Sequence, residues 1–180
     1  MLLHLRRSVV AMVILTVICG ILYPLVEVGV SQWWFPEQAN GSITSQGSTL
    51  IGQTWKGPGW FHGRPDADDP MATGPSNLGP TSKALATAVR AAIKAEAALG
   101  VKNPPADLVT TSGSGVDPDI SPAAALLQVD AVAKARGLST AAVRHLVIAH
   151  ENGPEWGFLG AATVNVLDLN EALAKLVARG

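Results

Sequence analysis

The chain has one cysteine, Cys19, in 180 residues. A single thiol makes no internal disulfide, so packing and hydrogen bonds must hold the fold. Charge is scarce as well: Asp, Glu, Lys and Arg make up 15% of the residues, 13 basic against 14 acidic, with a formal net charge of -1. That balance lacks the electrostatic footprint of a nucleic-acid binder or of a protein held on anionic lipid by charge. No nucleic acid is therefore expected as a partner, and the low charge favours a surface covered in part by another protein. There is no internal repeat and no low-complexity tract.

What is present is one long apolar run. From Ser8 to Val26 no side chain is charged. As a helix these residues span about 28 Å, close to the ~30 Å of bilayer hydrocarbon. The sequence predicts a transmembrane helix over residues 8–30, anchored by Val9, Leu15, Ile18, Leu22 and Leu25, with a short segment 1–7 ahead of it. A cleaved signal has a shorter core, roughly 7–15 residues, and ends at a small-x-small site. Here the branched Val28 and Val30 follow instead. A lipid-modified cysteine wants a small residue before it, and Ile18 precedes Cys19. An uncleaved span is therefore expected. Pro24 is expected to kink or end its helix, and Trp33, Trp34 and Phe35 would form an interfacial belt.

His4, Arg6 and Arg7 precede the run, and no Lys or Arg follows until Lys56. Basic residues collect on the cytoplasmic flank. The expectation is a single-pass protein of the plasma (inner) membrane, N-terminus inside, with the large remainder extracytoplasmic.

That remainder divides in two. Residues 31–80 are dense in Gly and Pro and predict extended loops with one or two short strands, the best candidate being Ser48–Thr54. Trp55, Trp60 and Phe61 should anchor them. Residues 81–180 read as helices with a late strand. Thr81 or Ser82 would cap a helix with the stripe Leu85, Val89, Ala92/Ile93 and Leu99, stopped by Gly100. Ser121 and Pro122 open a second, which ends at Gly137. Ser139 opens a third, burying Val143, Leu146 and Val147. Ala162–Leu167 alternates as a strand would, and Asn170 would cap a last helix. The fold class is α+β: one N-terminal transmembrane helix followed by a small extracytoplasmic α+β domain.

Candidate chemistry is thin. Gly74 to Thr81 has the glycine spacing of a phosphate loop, but Pro80 stands where the lysine belongs and has no N–H to offer. Asp66, Asp68 and Asp69, near His62 and Arg64, could hold a cation but lack the EF-hand pattern; Asp in a Pro-rich loop more often forms turns. Ser112 and Ser114 could be nucleophiles with His145 or His150 as base and Asp117 or Asp119 as orienter, yet the G-x-S-x-G elbow is missing. The helices after Ser121 and Ser139 mimic a helix-turn-helix, but the second offers only Arg144, His145 and His150 to DNA, so a plain αα-hairpin is the better reading.

The motifs together resemble a known family. Tyr23-Pro24-Leu25 and Phe35-Pro36-Glu37-Gln38-Ala39-Asn40-Gly41-Ser42 look like its membrane exit. Gly47-Ser48-Thr49-Leu50-Ile51-Gly52-Gln53 matches its GS-x-LIGQ motif, and Phe61-His62-Gly63-Arg64-Pro65 and Ser76-Asn77-Leu78-Gly79-Pro80 match two more. The most specific block runs from Pro105 to Thr110 and from Ser112 to Pro122, then through Gln128 to Leu138; Val164 to Asn170 completes it. In these motifs and their order the chain resembles the KdpC family, the small subunit of the bacterial Kdp potassium-transporting P-type ATPase. It departs in having Asp66 where the family usually has Ser, and Asp130-Ala131 where Pro-Arg is common.

The resemblance implies an accessory subunit without catalytic residues or a cofactor of its own. The implied partners are the bilayer, a potassium-binding channel-like subunit and an ATP-hydrolysing P-type subunit, which between them handle potassium and ATP. It also implies a role in assembly and as a catalytic chaperone that raises the ATP affinity of the hydrolysing subunit. The chain agrees in having neither a DKTG phosphorylation motif nor a TVGYG-like filter. Gln53, Arg64, Asn77, Ser112, Ser114, Asp117 and Gln128, from the shared motifs, are the expected partner-contact residues. The alternative is a membrane-anchored extracytoplasmic hydrolase or binding protein.

Overall fold

The computed structural model describes residues 2–66, 71 and 73–178. It divides into two compact units, one ending at Ile43 and one beginning at Thr44.

The first unit is built on a continuous helix, Leu2–Trp34. It comprises α1 (Leu2–Val17), a π turn (Ile18–Leu22) and α2 (Tyr23–Trp34). At 1.5 Å per residue it is about 50 Å long. Val9, Leu15, Ile18, Leu22 and Leu25 are all exposed, as lipid-facing side chains would be. Of the two outcomes expected of Pro24, a kink or an end, it does not end the helix. The π turn lies immediately ahead of it, with the Tyr23 N–H reaching back to the Ile18 carbonyl, and Pro24 falls in the first turn of α2, where a missing N–H costs least. The helix stops ten residues later. Phe35 leaves helical geometry, Pro36 opens the short α3 (Pro36–Ala39), and the Gln32 and Asn40 amides bond reciprocally across the corner at 3.2 and 3.1 Å.

The second unit begins with loops. Ser48–Thr54 forms no strand: its main chain meets other segments at Gly52, whose N–H donates to the Val116 carbonyl at 2.7 Å, and at Thr49, whose carbonyl accepts from the Asn165 side chain at 2.9 Å. A Cβ on Gly52 would sit 2.6 Å from the Asp117 carbonyl oxygen, so glycine lets two main chains touch here where a ladder would have continued. Trp55 and Trp60 pack against the core with ring centroids 4.9 Å apart, Arg136 lies 3.8 Å over the Trp60 ring, and Phe61 is fully buried.

The helices follow the capping signals closely. α4 (Lys83–Ala98) is capped by Ser82, α5 (Pro122–Arg136) by Ser121, and α6 (Thr140–Ala149) by Ser139; Gly137 ends α5 in the left-handed conformation. α5 and α6 form the expected αα-hairpin, closing on Val129, Val132, Val143 and Val147, with Leu146 half-buried beside them. α7 (Val166–Val177) starts earlier than expected. Its cap is Asn165, whose Oδ1 accepts from the N–H groups of Leu167 and Asp168, and not Asn170. The late strand is correspondingly short: β3 (Thr163–Asn165) is the centre of an antiparallel sheet in the order β1-β3-β2, with β1 (Asp119–Ile120) and β2 (Glu151–Asn152) at its edges. Val164 pairs with Ile120 on one side and Glu151 on the other.

α4 departs most from expectation. Leu85, Val89, Ala92 and Leu99 are only half-covered and Ile93 is exposed. The one buried side chain on this helix is Glu96.

Candidate functional site

The family-like motifs converge on a knot of loops. Phe61 and His62 run through the domain without regular structure, yet their main-chain groups are answered by side chains. Asn170 on α7 accepts from the Phe61 N–H and donates to the Phe61 carbonyl, both at 2.9 Å. Gln128 on α5 does the same for His62, at 2.7 and 3.0 Å. Two carboxamides thus stand in for the strand this segment lacks. Both are buried, Gln128 2% and Asn170 0% exposed, so Gln128, expected at a partner surface, spends its amide inside the domain. His62 Nε2 lies 2.9 Å from the Gly57 carbonyl, which can only accept, so that nitrogen carries the proton. Burial lowers the His62 pKa, opposed by that same hydrogen bond.

Two residues after His62, Arg64 donates from one Nη to the Thr110 and Thr111 carbonyls at 3.2 and 3.1 Å, and its other Nη lies 3.8 Å from Asp117. Asp66 binds the serine-glycine loop: its carboxylate accepts from the Ser112 N–H and Oγ, both at 2.7 Å, and from the Asp117 N–H at 3.0 Å. Ser112, 7% exposed, also accepts from the Gly115 N–H, and Ser114 Oγ accepts from the Val116 N–H. Arg64, Asp66, Ser112, Ser114 and Asp117 are therefore brought together. Gln53 stays apart from them, donating to the Ser48 carbonyl at 3.3 Å, and Asn77 is exposed in a left-handed turn at φ 53°.

This geometry bears on the candidate chemistries. The Ser112 hydroxyl proton goes to Asp66, and the partners of its Oγ are Asp66, Ser114 and Gly115, with no histidine among them; His150 instead bonds the Leu146 carbonyl. The serine–histidine pairing that the hydrolase reading called for is not formed at Ser112 among the described residues. The Gly74 N–H, needed for a phosphate loop, is spent on the Ser114 carbonyl. Asp66 is a loop staple, and Asp68 and Asp69 lie outside the described residues. Among the described residues no group of three or more His, Cys, Asp or Glu could hold a metal.

Beside the knot lies a cavity of about 540 Å³, bounded by residues of the 47–55 and 62–66 loops, by Ala92, Ala95 and Glu96 of α4, and by Leu108, Asp117, Pro118 and Val166. Its walls hold three carboxyl groups, Asp66, Glu96 and Asp117, against one guanidinium, Arg64. Glu96 is 7% exposed and its Oε2 has no hydrogen-bond partner; burial raises its pKa above the ordinary 4.5. The sequence hid this feature, because Glu96 occupies a face that reads as part of an Ala-rich amphipathic helix.

Comparison with known proteins follows the same motifs. The family model for the K+-transporting ATPase c chain matches residues 5–175. The chain is 48% identical over 186 residues to the potassium-transporting ATPase KdpC subunit of Sorangium cellulosum, covering 96% of this chain and 98% of that one. It is 46% identical to that of Acidobacterium capsulatum over 182 residues, with 96% and 98% covered. It is 48% identical to that of Gemmatimonas aurantiaca over 189 residues, with 97% and 94% covered. With agreement spanning helix, loop knot and C-terminal domain alike, the chain belongs to the KdpC family, the c chain of potassium-transporting ATPases.

Proposed function

We propose that this KdpC chain is the assembly and coupling subunit of a high-affinity potassium import complex, held by one span with its N-terminus in the cytoplasm and its domain outside. It is an accessory subunit, not an enzyme by itself. Its partners in this reading are the potassium-binding channel-like subunit and the ATP-hydrolysing subunit, which handle the ion and the nucleotide. The observation that carries the reading is the 33-residue helix whose large apolar side chains are exposed among the described residues. Such a surface needs lipid or other helices around it. The Arg6 and Arg7 charges set the orientation. A domain on the far side cannot touch cytoplasmic ATP, so a chaperone effect on ATP affinity has to pass through the partners as a bias between their conformations. The partner-contact residues in this reading are those of the motif loops with exposed or half-exposed side chains: Gln53, Arg64, Asn77, Ser114 and Asp117.

Removing residues 36–180 while keeping the span should abolish assembly of the complex purified from detergent-solubilised membranes; a fully active complex from that truncation would refute the assembly role of the domain. Coupling is reciprocal. If the chain raises ATP affinity by some factor, a non-hydrolysable ATP analogue must tighten retention of the chain by the same factor. Retention indifferent to the analogue, in a complex whose ATP affinity depends on the chain, would rule that coupling out.

A further inference from the structure

Glu96 occupies an unfavourable place for a carboxylate. It is buried, its Oε2 lacks a partner, and it sits in the last turn of α4, where the helix dipole is negative and no basic residue compensates. A buried polar group left unpaired calls for an explanation beyond packing. Among the described residues Arg64 pairs with Asp117, and Glu96 forms no ion pair. The cavity it lines carries an excess of two carboxyl groups over guanidinium. Its other walls include Trp55, Ile51 and Leu108, an apolar lining that suits a methylene stem behind a charged head. A metal ion is a poor fit, since the described residues supply no three-ligand group. Oε2 is the one Glu96 oxygen left buried without a partner, and a single acceptor matches a compact ammonium better than a forked guanidinium.

We propose that this cavity receives a lysine side chain of a partner subunit, whose ammonium pairs with Glu96. The proposal rests on the subunit reading above and adds to it a point of attachment. It is tested on the whole complex, purified with the wild-type chain, with Glu96→Gln and with Glu96→Leu, and footprinted with an amine-acylating reagent. In the wild-type complex one partner lysine should resist acylation and become reactive in both variants. Retention of the chain should fall at least about tenfold in both, while melting of the isolated variants shows them folded. Retention of both variants equal to that of the wild-type chain, or an unchanged acylation pattern, would overturn the proposal. So would a free amine as the natural occupant: n-butylammonium raising the melting point of the isolated wild-type chain, but not of Glu96→Leu, while the complex footprint stays the same. If the wild-type chain brings down no partner at all, the subunit reading fails with it; failure confined to the variants touches this inference alone.

Discussion

Asn170 and Gln128 each answer a donor and an acceptor of the main chain at once. Asn170→Ala strands both groups of Phe61 in the core, at a cost of about 2–6 kcal/mol, since each of the two buried orphans costs roughly 1–3. Gln53→Ala, which loses one half-exposed bond, should stay within about 0.5 kcal/mol. Urea unfolding separates the two. Glu96 supplies a pH test. Its pKa is raised in the folded state, so the native chain holds this proton more tightly than the unfolded one. Stability from this group is complete below about pH 4.5 and is lost as pH climbs through the folded value. Glu96→Gln should therefore raise the melting midpoint by a few degrees at pH 8 and leave it nearly unchanged at pH 4. His62 works in the opposite sense. Its depressed pKa means stability is present above about pH 6.5 and declines below it as the ring is forced to charge. A single residue type misled the reading of the C-terminal helix: Asn is a strong cap, so Asn170 looked like one, and only burial reveals that Asn165 holds that place.

Helices were legible because their ends are local chemistry. Ser82, Ser121 and Ser139 each accept from the N–H three residues on, and Gly137 takes the left-handed turn. Of the strands only the late one was, at Thr163–Asn165 within the expected Ala162–Leu167. β1 and β2 have two residues each, too few to show alternation, and exist only because β3 meets them from far along the chain. The same limit hid the loop knot, since Asp66 and Ser112 are 46 positions apart. Where the sequence suggested a strand at Ser48–Thr54, the decisive fact was long-range: Gly52 lies against the Asp117 main chain. Gly52→Ala should cost about 1–3 kcal/mol through that contact. Gly113→Ala, with open space around its Cβ position and no left-handed φ, should cost well under 1. Thermal denaturation of the two variants side by side gives the comparison.

At the scale of the whole molecule, the span was readable because lipid is a uniform solvent that asks only for length and apolarity. The domain asks for specific partners, and its core draws on α5, α6, α7 and β3, with Phe61 buried among them and Trp55 and Trp60 packed against it, all of them within residues 44–180. A fragment of residues 44–180 should accordingly fold alone, with cooperative urea unfolding and no affinity for vesicles; a molten, non-cooperative fragment would show that the anchor contributes to the fold. The carboxamide grip on Phe61 and His62 has a further consequence. Those two amide protons sit in a segment without a ladder, where rapid isotope exchange would ordinarily be expected. Their acceptors ride on α5 and α7, so deuterium can reach them only when those helices separate from the segment, and they should exchange as slowly as the innermost helical amides.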